Sequence, residues 1–209
     1  MQIPFSLGED HTLPEIFSLP DAEIRIYHDF LAAGDAKDVY RQLLQQTPWQ
    51  QDSLNFGGKS VPIPRLQAWY GDSKSHYAYS GLALAPLPWT PLLATIRKQV
   101  EMTCETPFNS VLLNYYRDGT DSVAWHSDDE KELGPDPLIA SLSLGTTRRF
   151  ELKHRVRKMP KTTCNLDHGS LLVMGSGMQK NWSHQVPKQP EITGGRINLT
   201  FRYIVNNTP

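Results

Sequence analysis

Cysteine is nearly absent from this chain of 209 residues: Cys104 and Cys164 stand far apart with no Cys-x-x-Cys spacing. That argues against a zinc module or a disulfide scaffold and suits a reducing compartment, with both thiols in the core. An excess of either charge is also missing. Twenty-one Lys and Arg face 22 Asp and Glu, a net charge of -1, so there is no global basic field of the kind that by itself announces a nucleic-acid binder. Any such surface must be local. No apolar run reaches the length of a membrane span, and residues 1–12 hold neither a basic segment nor an apolar stretch. The expectation is an intracellular protein without a signal peptide or membrane contact, cytoplasmic or, in a bacterium, nucleoid-associated. Repeats and low-complexity segments are lacking too, and the length suits one domain with a full core.

What is present divides the chain in two. Residues 1–22, with Pro4, Gly8, Pro14 and Pro20, predict an irregular lead-in. A short strand at Glu23 to Tyr27 and an amphipathic helix at Asp35 to Gln46 follow, then the turn Asn55-Phe56-Gly57-Gly58 and a strand ending at Asp72. Thr90 as cap and Pro91 in the first turn open a second helix running to about Cys104. From Phe108 onward helix is nearly absent. Strand-like runs cover Asn109 to Arg117, Val123 to Asp128, Ile139 to Gly145, Arg149 to Arg155, Ser170 to Gly175, Trp182 to Val186 and Arg196 to Val205. The fold class expected is mostly β with flanking helices, the helices packed outside a jelly roll or barrel.

The last of these runs carries the strongest chemical pattern. Alternation puts Arg196, Asn198, Thr200 and Arg202 on one face and Ile197, Leu199, Phe201 and Tyr203 on the other. Arginines on an inward face must meet anions, because an unpaired buried charge costs several kcal/mol. Their Cα atoms would lie roughly 20 Å apart, so side chains reaching toward each other leave room for a short diacid. The alternative for such a strand alone is an edge with a solvated arginine face.

His126 and Asp128 end one strand and His184 lies on a later one. Two imidazoles and one carboxylate on one side of a metal leave positions open, the arrangement suited to non-haem Fe(II) oxygenases. A surface histidine beside a turn aspartate is the commoner explanation when the motif stands alone. Together with the arginines the pattern is stronger, since a chelating keto acid needs a fixed cation for its remote carboxylate. Asn114 and Tyr116, two apart on another strand, can hydrogen-bond the same acid.

Jointly, His126-x-Asp128, His184, Asn114-x-Tyr116-x-x-Gly119 and Arg196-x-Asn198-x-Thr200-x-Arg202 resemble the AlkB family of Fe(II)/2-oxoglutarate dioxygenases. The likeness runs from about residue 50 onward and is closest to the subgroup repairing alkylated bases in duplex DNA. Pro64-Arg65-x-Gln67-Ala68, Tyr70-Gly71-Asp72, Tyr77-x-Tyr79-Ser80-Gly81, Asp129-Glu130, Ile139-Ala140-Ser141-x-Ser143 and His168-Gly169-Ser170-Leu171-Leu172 are similar to its pattern.

The resemblance implies a double-stranded β-helix core over residues 108–209. Residues 1–107 would supply a strap, helices and a nucleotide-recognition lid within one structural domain. It implies Fe(II) on His126, Asp128 and His184, and 2-oxoglutarate among Asn114, Tyr116, Arg196, Asn198, Thr200 and Arg202. Arg202 would hold the carboxylate nearest the iron and Arg196 the remote one. O2-dependent decarboxylation of the keto acid would be coupled to hydroxylation of an N-methyl group on bases such as 1-methyladenine or 3-methylcytosine, with formaldehyde released.

A base flipped from duplex DNA needs ring faces and polar groups around it. Tyr77, Tyr79, Ser80, Trp69 and Arg65 take those places in the resemblance, and Asp129 and Glu130 would favour the positive charge of the lesion. Phe56 looks like the subgroup's apolar finger, although Asn55 and Gly58 depart from its pattern. Arg148, Arg149 and the run Lys153 to Lys161 form the local basic surface expected to contact phosphate. The partner expected is alkylated DNA, bound by a monomer. Other readings are a same-fold oxygenase acting on RNA, protein or a small metabolite, and a lesion-binding module without turnover.

Overall fold

The computed structural model describes residues 13–73, 77–79, 82–84 and 86–205. Ser80 lies outside them, as do the side chains of Phe56, Tyr77 and Tyr79. The elements are β1 (Glu15–Leu19), β2 (Ala22–Tyr27), α1 (Ala33–Gln46), β3 (Ser53–Phe56), β4 (Lys59–Pro62), β5 (Leu66–Gly71), β6 (Tyr77–Tyr79), β7 (Leu82–Leu84) and α2 (Pro91–Cys104). The second half adds β8 (Ser110–Tyr116), β9 (Val123–His126), β10 (Ile139–Gly145), β11 (Arg148–His154), β12 (Thr162–Leu166), β13 (Leu171–Met174), α3 (Met178–Asn181), β14 (Trp182–Val186) and β15 (Arg196–Arg202).

Two antiparallel sheets face each other in a jelly-roll core. The larger runs β1-β2-β13-β10-β15-β8-β5 and the smaller β12-β11-β14-β9. Strand periodicity explains what lies on either side of the large sheet. Val111 and Leu113 of β8, Leu142 and Leu144 of β10, and Ile197, Leu199 and Phe201 of β15 point outward. They bury against Val39 and Leu43 of α1 and Leu93, Ile96 and Val100 of α2. The alternate positions face the small sheet, where Ile24, Ile26, Ile139 and Leu172 meet Phe150, Leu152, Leu166, Trp182 and Val186. The helices thus lie outside the sheets, as expected. α2 starts as its sequence dictates, with the Thr90 hydroxyl accepting from the Leu93 amide at 3.2 Å and Pro91 in the first turn.

Three local expectations are corrected. Part of the irregular lead-in is strand β1, paired with β2 through a turn at Asp21, whose φ is +59°. Its side chains are mostly exposed, so backbone pairing holds it and no apolar alternation marks it. Tyr203 is 46% exposed because β15 ends at Arg202 and the oily face ends with it. Arg148, assigned to the basic surface, is 1% exposed: β11 alternation sends Arg148, Phe150 and Leu152 inward while Arg149 and Lys153 stay out.

Among the described residues no helix is long and apolar enough to cross a membrane.

Candidate active site

The inner face of the large sheet carries polar side chains where a sandwich normally buries hydrocarbon. Gln67, Asn114, Asn198 and Ser143 stand in one row across β5, β8, β15 and β10, and Tyr116 faces Arg196 in the next. Buried polar groups need partners, and this row supplies most of its own. The Asn114 side-chain oxygen accepts from Arg65 Nε at 2.9 Å and from Gln67 Nε2 at 2.7 Å. Asn198 donates to Ser143's neighbours in β10, to Ser141 Oγ at 2.7 Å and to the Leu142 carbonyl at 3.3 Å, while its own oxygen accepts from Thr200 at 2.8 Å.

Arg196 is the exception. It is 1% exposed; its Nη2 donates to Ser143 Oγ at 2.9 Å and its guanidinium lies 5.3 Å from the centre of the Tyr116 ring. Its Nε and Nη1 are buried without a hydrogen-bond partner among the described residues. Burial draws its pKa down to about 10, with Tyr116 opposing and Arg148 assisting. A cation kept charged in such a place, with two donors unused, fits an incoming carboxylate.

Across the interior, β9 and β14 bring His126 directly opposite His184, their ring centroids 4.3 Å apart. Asp128 follows two residues after His126. Its Oδ2 lies 3.6 Å from His184 Nε2, and its Oδ1 accepts from Arg202 Nη2 at 2.5 Å. One ligand atom from each of His126, Asp128 and His184 falls within 4.8 Å of the others, so the three can hold one metal ion. Burial raises the Asp128 pKa, but Arg202, His184 and His126 together outweigh it and hold the carboxyl near 2. Burial, with His126 adding to it against Asp128, drops His184 to about 3. The pair is therefore a carboxylate and a neutral imidazole at neutral pH, the protonation states that metal ligands need. His126 Nδ1 lies 2.9 Å from the Ala124 carbonyl; that contact suits a protonated Nδ1 and leaves Nε2 as the donor atom for a metal.

The structure thus brings His126, Asp128, His184, Asn114, Tyr116, Arg196, Asn198, Thr200 and Arg202 into one interior, with Arg202 engaged by Asp128. Trp69 packs on the same inner side. Arg65 belongs with Asn114 and also donates to the Ser122 carbonyl at 3.3 Å. Asp129 is exposed and paired with Arg155 at 2.9 Å, while Glu130 keeps one buried oxygen without a hydrogen-bond partner.

Sequence reasoning missed the work of Arg148. It donates to the carbonyls of Asp118, Asp121 and Pro187 at 2.7–3.0 Å and lies 5.7 Å from the Tyr116 ring, on which Arg196 also sits. Inward alternation on β11 was the available signal. The remaining cations of the basic segment are largely matched: Arg155 with Asp129, Arg157 with Asp21 and Lys161 with Glu151.

A 2OG-Fe(II) oxygenase superfamily model matches residues 23–202. The chain belongs to that superfamily. Within it, the AlkB branch is marked by similarity to DNA oxidative demethylase ALKBH2 of Mus musculus, 39% identical over 86% of this chain and 79% of that protein. Alpha-ketoglutarate-dependent dioxygenase alkB homolog 3 of Mus musculus is 39% identical over 88% of this chain. The chain spans 66% of the length of that relative. The solved structure of OsALKBH1 shares the fold, with a TM-score of 0.65 at 17% identity over 89% of this chain and 99% of that one. For a 2OG-Fe(II) oxygenase the implied set is Fe(II), 2-oxoglutarate and O2. The residues present fit that set, through the two-imidazole, one-carboxylate donor group and the unused N–H groups of Arg196.

Proposed function

We propose that this chain is an oxidative demethylase of N-alkylated bases in DNA, of the 1-methyladenine and 3-methylcytosine type. The observation carrying the oxygenase reading is the shared interior of the three-residue donor group and the buried Arg196 with two free donors. The name of the relative DNA oxidative demethylase ALKBH2 supports DNA as the substrate.

In this reading His126, Asp128 and His184 hold Fe(II), and Arg196 holds the remote carboxylate of 2-oxoglutarate, steadied by Tyr116 and Ser143. Arg65 and Gln67 fix Asn114 at the edge of the acid's pocket. When bound, iron, 2-oxoglutarate and O2 supply the oxidation: the keto acid leaves as succinate and CO2, and the N-methyl group becomes a hydroxymethyl group that departs as formaldehyde. The protein's own part is to keep His184 neutral and Asp128 ionised, to orient the acid, and to exclude water. Arg202 anchors the Asp128 carboxylate and would hold the carboxylate of 2-oxoglutarate nearest the iron.

The substrate is a base flipped from a duplex, since its reacting methyl must reach an interior site. Tyr77 and Tyr79 stack on it, Ser80 and Trp69 border it, and Phe56 fills the vacated stack. Asp129 and Glu130 answer its positive charge, which a neutral base lacks. Arg149, Lys153 and Lys158 position the backbone. The chain acts as a monomer.

The test is anaerobic loading with Fe(II) and 2-oxoglutarate, then oxygen and a duplex oligonucleotide with one 1-methyladenine, read by mass spectrometry. Loss of one methyl mass, abolished by His126→Ala, is the expected result. Unchanged DNA, duplex and single-stranded alike, from protein that still consumes 2-oxoglutarate would move the substrate to another class, with a methylated RNA strand the first alternative.

A further inference from the structure

We infer that Gln179 is a positioning residue for Asp128, setting the distance between that carboxylate and His184. The inference rests on His126, Asp128 and His184 holding the metal, and is independent of the nucleic-acid substrate.

Strand β9 ends at His126, so the sheet ladder supplies no partner for the backbone amide of Asp128. Asp128 is 3% exposed, and a buried N–H must be satisfied by something. Gln179 does this: its Oε1 accepts from the Asp128 amide at 2.9 Å. The glutamine is itself 1% exposed, and its amide nitrogen meets the thioether of Met174 at 3.6 Å, a weak acceptor. Its strong bond is therefore the one to Asp128.

Position in the chain gives that bond its meaning. Gln179 sits on α3, which runs directly into β14 and His184. A second tie lies beside it, since Ser127 Oγ donates to the Trp182 carbonyl at 2.9 Å. The segment 127–128 is thus fastened twice to the element that carries the other buried ligand. The two ties restrain translation of the Asp128 Cα relative to His184, while Arg202 restrains rotation of its carboxylate. The Gln179 carbonyl in turn accepts from Arg155 Nη1 at 3.3 Å, which steadies α3 from the β11 end. Groups that orient metal ligands in this way typically change affinity by about 10- to 100-fold when removed.

The experiment measures Mn(II) uptake by the full chain, following the loss of the free-ion EPR signal, and records the Co(II) d–d spectrum as a signature of ligand geometry. Gln179→Met keeps the length and volume of the side chain and removes the acceptor. It is expected to weaken Mn(II) binding by about 10- to 100-fold and to alter the Co(II) spectrum. Met174→Leu disturbs the other end of Gln179 and leaves the acceptor in place, so it is expected to bind within about threefold of the unsubstituted chain. Should Gln179→Met fail to fold, Gln179→Asn, whose amide stops one methylene short, carries the same expectation.

Mn(II) binding by the folded Gln179 variant within about threefold of the unsubstituted chain, with an unchanged Co(II) spectrum, would overturn the inference. Equal weakening by Met174→Leu would do the same, because packing alone would then explain both. If the unsubstituted chain takes up no Mn(II), or Asp128→Ala takes it up equally, the metal assignment itself fails and this inference with it. Loss of the methyl group from DNA is a separate readout, so failure of the demethylase reading leaves the Gln179 result standing.

Discussion

Replacing Arg196 with methionine should make the cosubstrate-free protein more stable and deprive it of its cosubstrate. Methionine matches the arginine stem in length and carries no charge. Arg196 is 1% exposed, two of its nitrogens have no hydrogen-bond partner among the described residues, and its pKa is drawn down to about 10, chiefly through burial. Taken at face value that depression means the charged group costs about 3 kcal/mol in the fold. Against it stands the bond to Ser143, about 1 kcal/mol, the favourable effect of Tyr116 being already contained in the lowered pKa. The balance is a gain of about 2 kcal/mol, which for a chain of this size raises Tm by roughly 4–8 °C. Binding of 2-oxoglutarate should move the other way, losing a charge-assisted pair worth about 3 kcal/mol, or a hundredfold in Kd. Thermal unfolding of the metal-free protein gives the first quantity. The rise in Tm on adding Mn(II) with 2-oxoglutarate, a non-turnover mixture, gives the second through mass action. A variant more than about 1 kcal/mol less stable than the parent would refute the argument, since the cation would then be structural. So would an undiminished response to 2-oxoglutarate.

Arg148→Met should have the opposite effect on stability, although Arg148 flanks the same tyrosine ring. Its removal leaves the carbonyls of Asp118, Asp121 and Pro187 without their donor, and denaturant unfolding should show a loss of about 3–5 kcal/mol. His168 supplies a pH dependence: its Nδ1 accepts from the Gly145 amide at 2.8 Å, and burial lowers its pKa from 6.5. The unfolded chain therefore takes up the proton first. The contribution is complete above about pH 6.5 and is lost as the pH falls below it. Unfolding of His168→Asn, whose carbonyl oxygen accepts without titrating, should be less sensitive to pH between 7 and 5.

How much of this was legible in the sequence depended on the kind of signal. Strand alternation has a period of two, and where both faces of a strand are buried against different chemistry the two sets separate cleanly. Arg196, Asn198 and Thr200 could be placed on the inner face for that reason, with Ile197, Leu199 and Phe201 against the helices. The same rule applied to β11 would have sent Arg148 inward; reading Arg148 and Arg149 as one basic pair ignored it. Other features leave no local trace. The bonds from Arg65 and Gln67 to Asn114 join residues 49 and 47 positions apart. Gln179 lies on a helix of four residues, too short to show a period.

The positions where a sequence departs from good packing are informative because the departure is costly. A sandwich interior would be more stable with hydrocarbon at 114, 196, 198 and 202, and each polar residue there must either find a partner or keep one in prospect. Asn114, Asn198 and Thr200 find theirs within the fold, and Arg202 has Asp128. Among the described residues of this inner face, Arg196 alone keeps two buried donors unanswered. The described residues hold no partner for them, and the chemistry of a buried guanidinium calls for an anion from outside the fold. The stability lost at Arg196 is, on this argument, the part of the fold given over to the cosubstrate, which is why one substitution should improve the empty protein and disable the loaded one.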